Sequence, residues 1–311
     1  MLQIAEFFSN PKETCSYFGD RCAHFRYFYI QNCTSEFCQG LIERGWRRFG
    51  EYFFVPICAG CRECISIRQL VSRFDPNKSQ KRIIAKNTDT LITITRPSVD
   101  DERLALYESY HKAMNVKKGW SYRGITKEIY SDNFVYGYNS FGYEITYRRN
   151  GNLVGVGYFD LLGNCISSTY FFYDHNFAHL SLGTFNILTQ LLIAKRKNLV
   201  YFYPGYWIKN HYSMGYKEHF RPFEELLNAP DIFETPIWKP YLAESIKNHN
   251  LKSSMDSTAK SLDSSKKSSV QSRQKSIKKT TPKSSPKIRP KPNVAKNAKT
   301  SANKNANINV G

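Results

Sequence analysis

Residues 143–173 read YEITYRRNGNLVGVGYFDLLGNCISSTYFFY and contain three strand patterns in succession. Residues 143–149 alternate as a strand does, and the Asn-Gly pair that follows is typical of the tight turn between antiparallel strands. Residues 153–160 form the next strand. After a second turn, residues 166–173 are rich in aromatic and β-branched side chains, which strands favour. The stretch therefore predicts a three-stranded antiparallel sheet.

A helix and a fourth strand are predicted directly after this sheet. Apolar residues recur at helical spacing from Leu182 to Ala194, and residues 195–197 supply the basic end that a helix C-terminus favours. Residues 199–203 then form a short apolar strand. The order β-β-β-α-β is that of N-acetyltransferase-type (GNAT) folds, so we expect an α+β, GNAT-like core.

The predicted start of this helix differs from that of a conventional acetyl-CoA enzyme. Such folds usually hold a pyrophosphate at the helix N-terminus, where free N–H groups favour anions. Residues 179–184 contain one glycine and no arginine, so the glycine-rich signature is missing. An acetyl-CoA-dependent transferase is therefore the weaker enzyme hypothesis.

Upstream of the sheet the pattern is less regular. Residues 36–49 predict a helix that ends in the cationic run 44–50, and Asp75-Pro76-Asn77 predicts a turn before a basic segment. Residues 91–95 predict a strand. Ser98 then has the residue type and position of a helix cap, with acidic residues in the first turn that follows.

Composition divides the 311 residues into three parts: a Cys-rich N-terminal subdomain at 1–90, the transferase-like domain at 91–250, and a tail at 251–311. Residues 252–311 hold 15 of the 45 Lys and Arg residues, 2 of the 26 Asp and Glu residues and no aromatic residue, which places 13 of the 19 net positive charges there. Because such a segment has little apolar area to bury, we expect it to be disordered. It either holds RNA or another anionic surface loosely, or is a solvated extension.

Neither a targeting segment nor a membrane span is expected. Residues 1–14 lack the basic start and long apolar run of a secretory signal. Residues 175–194 lack charged side chains but include two His, two Asn and a Gln, so they predict an amphipathic helix and its approach. We therefore expect a cytoplasmic protein with reduced cysteines and no membrane partner.

Seven of the eight cysteines lie between Cys15 and Cys64, and three of them are spaced as Cys58-x-x-Cys61-x-x-Cys64. Thiolates at this spacing in a tight loop are typical ligands of zinc or of an iron–sulfur cluster. The fourth ligand would be Cys15 or Cys22. The alternative is a set of reduced thiols without a metal.

Several short blocks, taken in order along the chain, resemble one family of enzymes. They resemble the aminoacyl-tRNA–protein transferases, in particular the bacterial aspartate/glutamate leucyltransferases, which are similar to eukaryotic arginyl transferases. The resemblance covers about residues 10–230. The blocks are CSYF (15–18), GWRRFG (45–50), the three spaced cysteines through Arg68, SQKR (79–82) followed by Asn87, TYFFYD (169–174), SLGT (181–184), YPGYWI (203–208) and MGYK (214–217).

The resemblance implies transfer of leucine from a charged tRNA to the N-terminal amine of a protein that begins with Asp or Glu, which marks that protein for degradation. An arginyl donor is the close variant of this hypothesis. A hypothesis of a different class is an RNA-binding or metal-sensing module with an inactive transferase core.

This reaction needs no cofactor and no strong base. An α-amino group has a pKa near 7.7–8.0, so roughly a tenth of it is neutral at pH 7. Holding the amine beside the ester, with one donor for the oxyanion, supplies much of the rate. Asp160, which ends a strand at the expected cleft, is a candidate for orienting the incoming ammonium. The candidate donors or proton relays, each with a core role as its alternative, are Tyr173, Ser181, Tyr203 and Tyr206.

Recognition of an acidic N-terminal residue calls for a cation, and Arg offers a planar, bidentate match to a carboxylate. We expect Arg82 to be this reader, although the alternative is a solvated basic loop. The supporting and reserve candidates are Ser79, Gln80, Lys81, Arg68 and Arg73.

The tRNA requires a surface that combines cations for phosphates with rings on which unpaired 3′ bases stack. The candidates share either a basic or an aromatic side chain within, or directly after, the blocks above. They are Trp46, Arg47, Arg48, Trp207, Lys209, Tyr216 and Lys217.

Overall fold

The computed structural model of the chain describes residues 1–120, 122, 124–137, 140–242 and 307–308. The helices are α1 (Ser35–Glu43), α2 (Lys78–Lys86), α3 (Asp101–Lys118), α4 (Lys127–Phe134) and α5 (Leu182–Arg196). Short 3-10 helices cover Val71–Arg73, His175–Leu180 and Gly215–His219. The strands are β1 (Gln3–Phe8), β2 (Glu13–Thr14), β3 (Cys22–Ala23), β4 (Phe25–Gln31), β5 (Arg47–Phe49), β6 (Tyr52–Pro56), β7 (Ile65–Leu70), β8 (Leu91–Thr95), β9 (Gly142–Arg149), β10 (Asn152–Leu161), β11 (Cys165–Tyr173), β12 (Tyr201–Tyr203), β13 (Tyr206–Trp207), β14 (Phe223–Leu226), β15 (Trp238–Pro240) and β16 (Asn307–Ile308).

The larger sheet has the order β15-β14-β7-β12-β11-β10-β9-β8, and β13 also pairs with β7. Strands β8 to β11 are antiparallel, whereas β12 runs parallel to β11. Asn150 and Gly151 both have positive φ, as the tight hairpin turn between β9 and β10 requires. The predicted order of three strands, a helix and a strand is confirmed, with element ends shifted by one or two residues.

Helices cover both faces of this sheet. Phe185, Leu188 and Leu191 of α5 pack with sheet residues such as Ile166 in one core cluster. On the opposite face, α3 and α4 contribute a second cluster that includes Tyr130 and Phe172. The sheet therefore lies between two layers of helices, and the loops that follow its strands lie at the edges of these layers.

The smaller sheet has the order β16-β1-β4-β6-β5, and α1 packs within the same core cluster as β4 and β6. The helix predicted over residues 36–49 is wrong in its second half. Gly45 adopts φ +87°, which glycine tolerates and a helix does not, and Arg47–Phe49 then pairs with β6 as a strand. The cationic run therefore lies in a sheet.

Two helix starts differ from the expectations. The helix after Ser98 is capped by Asp100, whose carboxylate accepts a hydrogen bond from the Arg103 backbone N–H. The basic segment after residue 77 is the helix α2, in which Asn77 and Gln80 cap each other's backbone N–H groups.

The segment before residue 90 contributes to both sheets. Strand β7 lies in the larger sheet between β14 and β12, and Met1–Tyr241 fall in one compact unit. The division at residue 90 thus separates Cys-rich from Cys-poor sequence.

The predicted disordered tail at 251–311 lies outside the described residues, apart from 307–308. That short segment pairs with β1 in antiparallel register, Ile4 opposite Ile308. Among the helices of the described part of the chain, none is both long and apolar enough to cross a membrane.

Candidate functional site

Strands β11 and β12 separate at a fork. Their parallel pairing begins at Cys165 opposite Tyr201 and stops at Ser167 opposite Tyr203. The chain then turns at Gly205, whose φ is +93°, and the next strand pairs with β7 instead. Strand β11 continues to Tyr173, so the two strands diverge beyond this β11–β12 fork, and we call the space between them the cleft.

Arg47 of β5 lies at the fork. Its guanidinium donates hydrogen bonds to Ser167 Oγ at 3.3 Å and to Ser66 Oγ at 3.0 Å, and it lies near the rings of Tyr203 and Tyr206. The residue is only 6% exposed, and its Nε has no hydrogen-bond partner. No carboxylate of the described segments pairs with it, and burial lowers the pKa of this guanidinium.

Lys217 is a second buried cation near the fork. Its Nζ donates a hydrogen bond to the Tyr206 carbonyl at 2.6 Å, and the residue is 7% exposed. Burial first, and the charge of Arg47 second, lower the pKa of Lys217 to about 7. Within residues 1–242, as far as they are described, no carboxylate pairs with it either. Buried cations without a counter-ion are costly, and such perturbed groups cluster at functional sites.

Aromatic side chains line the cleft beyond the fork. The His175 ring stacks on Tyr173 with centroids 5.0 Å apart and on Tyr110 of α3 at 5.4 Å. Both ring nitrogens of His175 lack partners, and burial followed by the charge of Lys117 lowers its pKa. Tyr216 is 40% exposed, and desolvation together with Tyr173 raises its pKa to about 12. These rings offer flat faces to a base or an apolar side chain.

Sequence reasoning missed three of the residues in this region. Ser66 was not singled out because a lone serine in a strand has no distinguishing pattern. Tyr110 and His175 were also missed. One signal was available: Tyr107 and Tyr110 lie three residues apart on one face of α3, and both pack on the aromatic residues of the sheet.

Asp160 does not lie where an incoming ammonium reaches it. Its carboxylate accepts two hydrogen bonds from the Arg48 guanidinium, one of them at 2.9 Å, and both side chains are almost fully buried. Arg48 also donates to the carbonyls of Gly50 and Gly137. The two groups neutralise each other in the core, which corrects both the expected role of Asp160 and the expected phosphate contact of Arg48.

The hydroxyl candidates differ in accessibility. Tyr206 is buried and donates to the Gly45 carbonyl at 2.8 Å, and burial raises its pKa well above the usual value. Tyr203 is buried and accepts a hydrogen bond from Arg68. Tyr173 is partly exposed at the cleft, and Ser181 precedes α5 with φ +55° and no side-chain cap bond. Among the described residues, neither the Tyr173 nor the Ser181 hydroxyl has a hydrogen-bond partner, and their catalytic role stays a prediction.

The expected acceptor reader lies on the first turns of α2. Ser79, Lys81 and Arg82 are exposed, and Lys81 pairs with Asp75 at 3.2 Å. Gln80 is buried instead, where its side-chain amide donates to the His219 carbonyl at 3.0 Å. It therefore joins α2 to the segment that carries Lys217, and reading by Arg82 stays a prediction.

The two reserve arginines have different surroundings. Arg73 is exposed at the end of a 3-10 helix. Arg68 forms an ion pair with Glu224 at 2.7 Å and stacks on the rings of Tyr201 and Trp238. The charge of Arg68 is already compensated.

The expected tRNA-binding residues are mostly buried. Trp46 is 1% exposed and stacks on Phe28, and Trp207 packs against Phe223. Neither indole presents a face to a base, because each belongs to a core cluster. Of the seven candidates, Lys209 and Tyr216 lie at the surface.

The four cysteines predicted as metal ligands lie near one another. Burial, followed by the negative charges that Cys15, Cys58 and Cys61 would carry as thiolates, raises the pKa of Cys64 to about 12. The described residues nevertheless contain no group of three His, Cys, Asp or Glu side chains arranged to hold a metal ion. The metal site stays a prediction.

A cavity of about 500 Å³ adjoins these cysteines. Its lining includes Cys64, Ser66, Tyr206 and Glu225. Ser66 Oγ accepts a hydrogen bond from Arg47, and the Tyr206 carbonyl accepts one from Lys217. One residue therefore separates the cavity from each buried cation.

Comparison with known proteins gives consistent matches. Residues 13–82 match the family model described as "Arginine-tRNA-protein transferase, N terminus", and residues 102–227 match the C-terminal model of the same family. The chain is 52% identical to the aspartate/glutamate leucyltransferase of Helicobacter hepaticus, over 77% of this chain and 99% of that protein. The corresponding protein of Campylobacter jejuni is 40% identical, over 76% of this chain and 98% of that protein.

Solved structures are more distant. FemX superposes with a TM-score of 0.40 at 8% identity, over 59% of this chain and 64% of that chain. The family models and the curated relatives, in contrast, span nearly the whole of Met1–Tyr241. The chain belongs to the arginine-tRNA-protein transferase family and is an aminoacyltransferase.

Proposed function

We propose that this protein transfers leucine from Leu-tRNA to the α-amine of proteins that begin with Asp or Glu. The observation that carries this proposal is the 52% identity to a protein named aspartate/glutamate leucyltransferase, which the chain matches over 99% of its length. The product would be a protein with an N-terminal leucine, marked for degradation in the cytoplasm. An arginyl donor is the alternative, since the family models carry that name.

The proposed reaction is an aminolysis. The α-amine attacks the ester carbonyl, the new C–N bond forms, and the C–O bond to the terminal ribose of the tRNA breaks. The ammonium loses one proton to solvent to become the attacking amine, and the amine loses a second proton after the attack, which the leaving ribose oxygen takes up as its hydroxyl proton. The cleft beyond the fork would hold the two reactants together, which is the largest contribution available without a strong base.

The donors for the oxyanion would come from the cleft wall. Tyr173 and Ser181 retain hydroxyl groups there that no other described residue engages. One such donor is worth about 3 kcal/mol at the transition state. Asp160 has no part in this step because Arg48 holds it in the core.

The core would be of the N-acetyltransferase type. What supports this is the order of β9, β10, β11, α5 and β12, together with the separation of β11 from β12 at the fork. A cleft between diverging parallel strands gives an acyl donor access to unpaired backbone of β11.

The tRNA would approach over an exposed surface of cations and rings near the cleft. Tyr212 is exposed, and Lys118 Nζ lies 5.8 Å from the centre of its ring. Lys209 and Tyr216 are exposed on the same stretch of chain. Cations neutralise phosphates and the rings stack on unpaired bases, so this surface suits a single-stranded 3′ end.

The cysteines would hold zinc or an iron–sulfur cluster, with Cys15, Cys58, Cys61 and Cys64 as ligands. What supports this is that burial first, and the nearness of Cys15, Cys58 and Cys61 second, raise the pKa of the Cys64 thiol, and cysteines gathered in this way are typical zinc ligands. Metal analysis of protein purified without oxygen tests it. We expect about one ion or cluster per chain, lost in Cys61→Ser and kept in Cys165→Ser; metal-free protein would contradict the proposal.

The transfer itself is tested with purified protein, a Glu-initiated peptide and labelled Leu-tRNA, Arg-tRNA or acetyl-CoA in parallel. We expect label on the peptide from Leu-tRNA. Label from Arg-tRNA alone would establish the alternative donor. Label from acetyl-CoA alone, or from none of the three, would contradict the proposed function.

A further inference from the structure

We propose that Arg47 and Lys217 form the site that binds the acidic side chain of the acceptor's first residue. The inference rests on the proposed function, which supplies an acceptor beginning with Asp or Glu. It assigns the recognition of that acid to two buried cations at the fork and not to the exposed Arg82.

The first argument is charge. Arg47 and Lys217 are 6% and 7% exposed, they repel each other, and neither has a carboxylate partner in the described part of the chain. Two other arginines do have one: the buried Arg48 pairs with Asp160, and the partly buried Arg103 pairs with Glu144. Two uncompensated cations in a core call for an anion that the described part of the chain does not supply.

The second argument is hydrogen bonding. Arg47 donates to two neutral hydroxyl groups, those of Ser66 and Ser167, while its Nε–H has no acceptor. Each hydroxyl keeps its own O–H to donate. Lys217 Nζ has one described acceptor, the Tyr206 carbonyl, and an ammonium has three N–H donors. The group thus offers an excess of donors, which is what a carboxylate satisfies.

The third argument is access. Ser66 and Tyr206, the residues that bond the two cations, line the cavity of about 500 Å³, and the cations themselves lie one residue behind this lining. A cavity of this size holds a chain end of a few residues. A tRNA phosphate is the competing ligand for this position, and the effect of the two fork variants on tRNA affinity separates it from the acceptor carboxylate.

The fourth argument is selectivity. Water screens an exposed cation such as Arg82, so its pairing with a ligand carboxylate is worth little. When a neutral ligand binds, a buried cation stays unpaired and carries its full desolvation cost. Sites of this kind therefore favour the right ligand over the wrong one by large factors. Discrimination between Glu and the nearly isosteric Gln therefore favours the buried pair.

The test measures binding of labelled peptides to the full-length protein without tRNA. Two peptides differ only in their first residue, Glu or Gln. We expect the wild type to prefer the Glu peptide at least 100-fold, and Lys217→Met and Arg47→Gln each to reduce that preference at least 10-fold. Lys217→Arg, which keeps the charge, should retain most of it. Lys112→Met, the same change at an exposed lysine, is the control and should leave it intact.

A second measurement uses the wild type alone and does not depend on the folding of a variant. Calorimetric titrations at pH 7.5, in two buffers of different ionisation enthalpy, report the protons taken up on binding. A carboxylate beside Lys217 raises the pKa of that lysine from about 7, so the Glu peptide should take up protons. Subtracting the Gln peptide removes the contribution of the peptide amine.

Four outcomes would overturn the inference. The first is folded Lys217→Met and Arg47→Gln proteins that keep the wild-type preference. The second is loss of the preference in Arg82→Gln alone. The third is a loss of tRNA affinity, with peptide binding unchanged, in the two fork variants. The fourth is equal proton uptake for both peptides. A strong Glu preference without transfer from any donor would instead contradict the proposed function and leave this site standing.

Discussion

At Lys217, burial places an ammonium beside Arg47, and the sign of the effect on stability follows from its pKa. The pKa is lowered from 10.5 in the unfolded chain to about 7 in the folded protein. Between these values the unfolded chain binds the extra proton, so Lys217 makes the fold less stable as the pH falls from about 10 to 7. Below pH 7 both states are protonated, and the full cost remains.

The difference in Tm between Lys217→Met and the wild type should therefore be more in favour of the variant at pH 6 than at pH 9. The comparison of the two pH values removes the constant cost of leaving the Tyr206 carbonyl without its donor. The other groups that face Lys217 are Arg47, Tyr206 and Cys64; burial raises the pKa of Tyr206 well above its usual value and that of Cys64 to about 12, both above pH 9. Thermal unfolding followed at both pH values measures it, and an equal difference in Tm at pH 6 and 9 would contradict it.

Asp160 provides a second prediction at this scale. Asp160→Asn removes the charge that compensates Arg48 in the core, and breaking a buried pair in this way costs about 3–5 kcal/mol of unfolding free energy. Denaturant unfolding measures the loss. The matched control, Asp75→Asn, breaks an exposed pair with Lys81 and should cost less than about 1 kcal/mol. If Asp160→Asn kept its stability and lost turnover, the catalytic role assigned from the sequence would be right after all.

The types of residue that the site needs were easier to predict than the individual residues that supply them. Trp46, Arg47 and Arg48 form a cationic, aromatic run that matches a nucleic-acid surface in composition, yet all three are buried. Their burial depends on β5 pairing with β6 and on Asp160, which is 112 positions from Arg48 in the chain. Composition carries no information about such long-range partners.

At the scale of elements, local patterns predicted what local forces decide. The strands around the Asn150-Gly151 turn and the helix α5 were predicted because their periodicity and turn residues agree. The segment after Glu43 was predicted as helix because its apolar spacing allows one. Gly45 stops that helix with its left-handed backbone and sends the chain into β5.

Gly45→Ala tests this stop. The alanine would have to adopt the positive φ of Gly45, and its Cβ would lie 2.9 Å from Leu226 Cδ2. We therefore expect a loss of about 1–2 kcal/mol in unfolding free energy. The Gly45 carbonyl also accepts a hydrogen bond from the Tyr206 hydroxyl, and Gly45 lies two residues before Arg47. The preference for the Glu peptide over the Gln peptide should therefore fall as well. Gly60→Ala, at a positive φ in open space, is the control for backbone strain alone. An unchanged denaturation midpoint in Gly45→Ala would contradict the prediction.

At the scale of the whole molecule, the net charge of +19 has two parts. Residues 252–311 account for 13 of these charges, and the rest of the chain carries an excess of 6. The basic residues of that part include Arg47 and Lys217, the two buried cations at the fork. Nucleic-acid affinity that depends on a polycationic tail is electrostatic and weakens with salt.

Deletion of residues 252–311 should therefore raise the Kd for tRNA and reduce its salt dependence while leaving kcat at saturating tRNA unchanged. Steady-state kinetics at two salt concentrations measure both effects. A truncated protein with full tRNA affinity would show that the tail does not bind RNA, and one that lost kcat would show that the tail belongs to the catalytic unit.

The most direct test of the account is the mass of two peptides, one beginning with Glu and one with Gln, after incubation with the protein and Leu-tRNA. We predict that the Glu peptide gains one leucyl residue at its N-terminus, that the Gln peptide gains almost none, and that Lys217→Met narrows this difference. A Gln peptide modified as fast as the Glu peptide, or no leucyl addition to either, would contradict the account.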